Sequence, residues 1–371
     1  MEITRFTAWS VLLPNVEGAY RMAGDRISYG MDAVVVRLTA DDGSQGIGES
    51  GTVGVTFDAQ NLPGQIAGVT ALAPTVLGAD ARNPQALQRR MNAAMTGHPY
   101  CKSPIDIAAW DLAARLDGVP LWQRLGGDGP EATPLYRPVQ GATPDAVRVK
   151  AGERLAQGYQ RLQVKVGDDP LNDAQRVLAV RDVVGPDVVI FADANCGFSL
   201  SDARRFVREL GSNGAGIYLE QPCATIVECG HLRQSWDGPM VLDESITSLA
   251  ALIEGHRLGV ADGITVKLTR VGGITPAAVI RDAAVALGVG VTVEDASGCN
   301  LADMAFAHMN ASTPALRRVH SVDFDSWVTL CHVTGPSARD GSFLRPHATL
   351  PGLGLELDLS VLGEPFVDVS R

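Results

Sequence analysis

Between Leu162 and Gly273 the chain reads, in order, LQVKVG (162–167), FADANCG (191–197), YLEQPC (218–223), VLDES (241–245) and ITVKLTRVGG (264–273). Each piece is a short apolar run that meets a charged residue near its end: Lys165, Asp193, Glu220, Asp243 and Lys267. These follow one another at intervals of 23 to 28 positions, the length of one strand–helix–loop unit. One carboxylate after a buried strand is ordinarily a helix cap. Three in succession, flanked by two lysines at the same point of the unit, need another explanation. In a parallel barrel the carboxyl ends of successive strands gather at one face, which would bring all five side chains together. Three carboxylates on neighbouring strands make a hard, all-oxygen site suited to a magnesium ion that keeps positions for water or substrate.

The flanks extend this pattern. From about Thr133, apolar runs (PLYRPV, RLQVKV, DVVIFAD, GIYLEQ, MVLDE, GITVKL, GVTVED and LRRVHSV) alternate with stretches of helical periodicity such as DAQRVLAVRDVV and PAAVIRDAAVAL. Roughly eight such units predict an α/β fold, a modified TIM (β/α) barrel, over residues 129–326. A doubly wound sheet is the alternative, but no GxGxxG turn follows the first strand. Residues 1–128 read as an α+β capping domain. Three strands come first, the last two joined at the DDG turn, Asp41–Gly43. Helices are expected over 61–77, over 84–95, and in SPIDIAAWDLAARLDG, with Ser103 as cap, Pro104 in the first turn and Gly118 as stop. The Gly- and Pro-containing segment 327–371 carries no barrel repeat and is expected to return to the cap.

About 46% of residues are hydrophobic and 20% charged, as in soluble enzymes. A net charge of −11 argues against nucleic acid and anionic membrane as partners. The first residues, MEITRFTAWSVLL, lack the apolar core and cleavage site of a signal peptide, and no run is long enough to span a bilayer. A cytoplasmic location follows as the expectation. The six cysteines show no CxxC spacing, so reduced, buried thiols are expected rather than a zinc or disulfide framework.

The set KVG, DAN, EQP, DES and KLxxxGG resembles the enolase superfamily, and the lysine placement is similar to its muconate-lactonizing-enzyme subgroup, in the mandelate racemase/muconate lactonizing enzyme family. The resemblance spans nearly the whole chain. It implies one Mg2+ per subunit on Asp193, Glu220 and Asp243, with Mn2+ able to substitute, and Lys165 and Lys267 as catalytic bases or acids. Asn195 and Glu244 would orient these groups, and Gln163, Glu294, Asp295, Tyr20 and Tyr136 would lie toward substrate. The subgroup commonly carries lysine two residues before its second-strand base, where this chain has Gln163. Glutamine there, with LYR (135–137), GHPYCKSPIDIAAWD (97–111) and YLEQPC, resembles the branch that dehydrates cis-3-hydroxy-L-proline. After the seventh strand the chain reads VEDASGC, without the aromatic residue expected after the acid pair of that branch. The cap loop GESGTVGVTFDAQ departs from its pattern as well.

The chemistry has its own logic. Removing a proton next to a carboxylate generates a dianionic enediolate, and positive charge close to that carboxylate offsets the developing charge. Strands two and six face each other across an eight-stranded ring, so Lys165 and Lys267 would address opposite faces of a substrate. Opposed groups suit elimination with one base and one acid, and equally suit racemisation or epimerisation of a proline derivative or an N-acyl amino acid. The expected partner is therefore a small carboxylate, a cyclic amino acid by the resemblance, acted on by a homo-oligomer. A Schiff-base aldolase using Lys267 and a non-catalytic binding barrel are the other classes. Three aligned carboxylates oppose the first, and the presence of all five charged residues opposes the second. Loops 20–29 and 51–57 are expected to close over the mouth as a lid.

Overall fold

The computed structural model of the chain describes residues 1–21, 27–56 and 59–371, and of Tyr20 and Arg21 the backbone alone. Much of the expected lid, and the Tyr20 side chain, thus lie outside the described residues.

Three antiparallel strands, Ile3–Pro14, Gly30–Ala40 and Gln45–Thr52, form the capping sheet. Its outer edge is taken by Val367–Ser370, which sets Ser370 opposite Arg5. The central strand carries the run Ala33-Val34-Val35-Val36, which lacks polar alternation because both of its faces are covered. Val34 and Val36 pack with Leu72, Val76, Ile105 and Leu112 of the cap helices. Ala33 and Val35 join Trp9, Ile47 and Trp110 in a second core that runs on into the barrel.

The third cap helix starts at Pro99 and runs to Leu116. It begins four residues before the expected Ser103 cap, and Ser103 and Pro104 are buried inside it. An interior proline leaves the carbonyl four residues back without its helical donor. That carbonyl, Tyr100 O, accepts from Ser50 Oγ at 3.3 Å and Gln65 Nε2 at 3.1 Å. Polar groups outside the helix thus make Pro104 tolerable, which local sequence does not reveal.

The barrel holds seven parallel strands in sequential order: Arg137–Val139, Arg161–Lys165, Val189–Asp193, Ile217–Glu220, Met240–Leu242, Gly263–Lys267 and Gly290–Glu294. The expected eighth strand, LRRVHSV, is reduced to two parallel bridges, Arg318 to Val291 and Ser321 to Leu135. One bridge to each neighbour is too little ladder for a strand, yet together they close the ring. The intervening His320 packs its ring on Phe191 and Tyr136, with centroids 4.3 and 4.8 Å away. Among the described residues no helix is long and apolar enough to cross a membrane.

Candidate active site

Strand register sets the charged residues level with one another. Lys165 pairs with Asp193 and Asp193 with Glu220, while Lys267 pairs with Glu294. The loops that follow are tightly packed. Gly167 has a φ of +116°, and a Cβ there would stand 2.6 Å from Ala194 O. Only glycine meets both demands. Beside it, Asn195 and Cys196 hold φ of 42° and 65°, and Gln221 holds 33°. Left-handed backbone at consecutive non-glycine residues costs conformational energy and gathers at functional sites.

Each lysine rests on its own carboxylate. Lys165 Nζ lies 2.5 Å from Asp193 Oδ2. Lys267 Nζ lies 2.9 Å from Asp243 Oδ2 and 3.9 Å from Glu294 Oε1. Arg270 donates to Asp243 through both the side-chain Oδ1 at 2.7 Å and the backbone carbonyl at 2.8 Å. Burial would raise the Asp243 carboxyl, but Lys267 and Arg270 outweigh it and hold the group down at about 2. Burial would likewise lower Lys267, yet Asp243, with Glu294 and Glu244, keeps its ammonium above the ordinary lysine range.

Glu220 differs. Its hydrogen bonds come from two neutral groups, Gln163 Nε2 and Thr265 Oγ1, each at 3.2 Å. Burial first, then the charges of Asp193, Asp243 and Glu294, push its carboxyl well above the usual range. Glu294 is pushed to about 8 and Glu244 to about 7, in both cases chiefly by burial. Five buried acids (Asp193, Glu220, Asp243, Glu294 and Asp295), with half-buried Glu244 beside them, thus meet three cationic side chains, Lys165, Lys267 and Arg270. An excess of converging carboxylate oxygen, centred on an acid without a cationic hydrogen-bond partner among the described residues, fits a hard divalent cation. Asp193, Glu220 and Asp243 are the residues that would hold it.

Asn195 connects the strands. Its backbone N–H and Nδ2 donate to Asp193 at 2.9 and 3.0 Å, and Nδ2 also reaches Glu244 Oε1 at 3.0 Å. Asp295 accepts the Thr269 N–H at 2.8 Å and its hydroxyl at 2.5 Å, and burial lifts the group to about 6. One cavity at the barrel mouth is lined by Lys165, Lys267, Gln163, Asn195, Glu294, Asp295 and Tyr136. Asp193, Glu220 and Asp243 are not part of this lining but contact Lys165, Gln163 and Lys267, which are.

Several neighbours escaped the reading of the sequence. Phe324 and Trp327 line the same cavity, as do Met31 and Ser28 from the cap. The two rings give the cavity an aromatic wall from a segment other than the one after Asp295. They arrive from the strap after the eighth segment, and two bonds to Asp303 secure it: the Phe324 and Asp325 N–H groups donate at 2.8 and 3.0 Å. A DFDSW run beyond the last barrel segment was the available signal. Arg270 sat inside the quoted KLTRVGG motif, one helical turn past Lys267. All six cysteines are free, and neither Cys196 nor Cys223 lines the cavity.

Comparison with known proteins places the whole chain in a family. A family model described as enolase C-terminal domain-like matches residues 146–361, and the mandelate racemase / muconate lactonizing enzyme N-terminal domain matches residues 22–126. Cis-3-hydroxy-L-proline dehydratase of Roseibium aggregatum is 35% identical over 370 residues, covering 100% of both chains. N-succinyl-L-Arg/Lys racemase of Bacillus cereus is 29% identical across 93% of this chain and 95% of its own. A solved enolase-superfamily member from Roseovarius nubinhibens, complexed with magnesium, is similar at a TM-score of 0.94 with 31% identity over 100% of both chains.

Proposed function

The chain belongs to the mandelate racemase / muconate lactonizing enzyme family of the enolase superfamily, and from that premise we propose that it removes water from a small cyclic β-hydroxy amino acid such as cis-3-hydroxy-L-proline. The observation that carries this reading is the pair of lysines, each on its own carboxylate, lining one cavity from strands two and six. The 35% identity to a dehydratase along the full chain supports the substrate class.

In the proposed reaction one lysine, as the free amine, takes the proton from the carbon bearing the carboxylate. The electron pair of that C–H bond becomes the new carbon–carbon double bond, and the C–O bond to the neighbouring hydroxyl breaks. The other lysine, as ammonium, delivers its proton to the departing oxygen, which leaves as water. In the cis isomer the hydrogen and the hydroxyl lie on opposite ring faces, so groups on facing strands match the demand. A divalent cation on Asp193, Glu220 and Asp243, magnesium in this reading, supplies positive charge for the substrate carboxylate. Asn195 and Arg270 keep Asp193 and Asp243 oriented. Phe324, Trp327 and Met31 offer apolar surface for ring methylenes and exclude water.

Epimerisation or racemisation of a proline derivative or N-acyl amino acid is the second reading. The racemase relative and the same two lysines favour it. Proton NMR of candidate prolines with the enzyme in deuterated water separates the two. Dehydration consumes cis-3-hydroxy-L-proline and releases the elimination product, whereas epimerisation returns the inverted, α-deuterated amino acid. If cis-3-hydroxy-L-proline is neither exchanged nor consumed while an N-acyl amino acid is inverted, the dehydratase reading falls.

A further inference from the structure

A second cluster of ligating groups lies between the cap and the barrel, and none of its residues lines the cavity of the two lysines. It joins Glu49 of the third cap strand, Cys299 at the start of helix Asn300–Ala311, and His332 of the C-terminal segment. All three are buried. Glu49 Oε2 accepts the N–H groups of Ala302 at 3.1 Å and Cys299 at 3.4 Å, as a helix cap supplied from another element. Capping accounts for one oxygen only. Glu49 Oε1 is buried and has no hydrogen-bond partner among the described residues. The His332 ring stands 3.7 Å from Glu49 Oε2, beyond hydrogen-bond reach. Cys299 Sγ is 3.6 and 3.7 Å from the two ring nitrogens, favouring neither. The acid, thiol and imidazole thus make only long contacts with one another, the thiol donating to Glu49 Oε2 at 3.7 Å, while Glu49 Oε1 makes none, which is what a missing partner leaves behind.

The spacing indicates the kind of partner. Tetrahedral zinc with its usual bond lengths to sulfur, nitrogen and oxygen separates its ligand atoms by roughly 3.4–3.6 Å. Here Cys299 Sγ to Glu49 Oε2 is 3.7 Å, and the remaining separations are 3.6–3.7 Å. Turning the imidazole about its Cβ–Cγ bond is the adjustment needed to aim Nε2 at a common centre. A fourth donor is near: half-buried Cys331 adjoins His332 in the chain, and although its thiol donates to Val333 O at 3.8 Å, it lies close enough to Cys299 for each to shift the acidity of the other. Its partial exposure also gives an ion a way in. Burial keeps His332 neutral, its value lowered to about 4, which is the form that ligates metals.

We propose that Glu49, Cys299 and His332, with Cys331 on the open side, form a structural site for a thiolate-preferring divalent ion, zinc by its chemistry, that fastens the cap, the barrel and the C-terminal segment together. The donor set is Cys/His/Glu, whereas Asp193, Glu220 and Asp243 offer oxygen alone, so the two sites divide soft and hard cations between them. Binding replaces the thiol and carboxyl protons by metal bonds, and those protons pass to solvent.

The test is the metal content of the whole protein by mass spectrometry after expression with zinc, together with cobalt substitution read by sulfur-to-cobalt absorption. About one zinc per chain is expected, with the thiolate band in the cobalt form. Cys299→Ser and His332→Asn should lower retained zinc at least tenfold, whereas Glu220→Gln should keep it while weakening magnesium. If the buried variants do not fold, Cys331→Ser, at the half-exposed position, should still weaken zinc retention with the circular dichroism unchanged. Zinc-free wild-type protein without a cobalt–thiolate band overturns the proposal. So does zinc retention indifferent to both Cys299→Ser and Cys331→Ser, or a Cys299–Cys331 disulfide in metal-free protein prepared anaerobically.

Discussion

Replacing the two lysines one at a time is the sharpest probe of the proposed chemistry. Lys165→Ala and Lys267→Ala each remove one proton-transfer group and leave the other on its own carboxylate partner. Such a group typically contributes about 10²–10⁴-fold, or about 3–5.5 kcal/mol of barrier at about 1.4 kcal/mol per decade. Overall dehydration should therefore fall by that range in both variants. Exchange should divide them. Loss of the base abolishes deuterium incorporation at the α-carbon, whereas loss of the acid leaves exchange and slows departure of the hydroxyl. The structure adds a second contrast. The Lys165 side chain is 18% exposed and that of Lys267 only 7%. A small primary amine added to solution should thus rescue Lys165→Ala several-fold more than Lys267→Ala. The assay is NMR-detected exchange and product release for each variant, with and without ethylamine. Wild-type exchange and turnover in both variants would refute the reasoning, since neither lysine would then touch the reacting carbon.

Two further outcomes follow from individual side chains. Glu220→Gln removes the carboxylate that lacks a cationic hydrogen-bond partner, and it should weaken magnesium binding and lower turnover by at least 10²-fold while the fold persists; unchanged magnesium affinity by calorimetry would remove Glu220 from the cation site. Asp106, in the third cap helix, accepts the Thr275 N–H at 2.8 Å and its hydroxyl at 2.6 Å across the cap–barrel boundary, and burial raises it to about 7. The folded chain holds this proton where the unfolded chain, with a carboxyl near 3.9, has released it. Its contribution to stability is therefore present at low pH and is lost as pH rises to about 7. Two pH units between 5 and 7, at about 1.4 kcal/mol each, give roughly 3 kcal/mol. Urea titrations at pH 5 and pH 8 should show a smaller pH dependence in Asp106→Asn by about that amount, and parallel curves for variant and wild type would overturn the assignment.

The barrel and the five charged residues at its mouth were legible because both are carried by local pattern. A strand followed by a helix repeats at a near-constant interval, and a parallel sheet in sequential order converts equal positions along strands into one level of one ring. Lys165, Asp193 and Glu220 are register partners for that reason. The glycines of KVG and GG mark backbone geometry that no other residue adopts at low cost, and Gly167 and Gly273 both have positive φ. Other features depended on contacts between segments far apart in the chain. Pro104 looked like the first turn of a helix until Ser50 and Gln65 came from other elements to satisfy the freed carbonyl. The eighth strand dissolved into two bridges through its pairing with strands one and seven, which its own composition does not encode. Phe324 and Trp327 enter the cavity through a strap anchored on Asp303, and Glu49, Cys299 and His332 meet from three separate parts of the chain. Periodicity is a property of neighbours in sequence, so sequence alone determined which residues share a face of the ring. Contacts that satisfy buried polar groups or complete a cavity come from any segment that packing brings near, so only the tertiary structure decided the walls of the site.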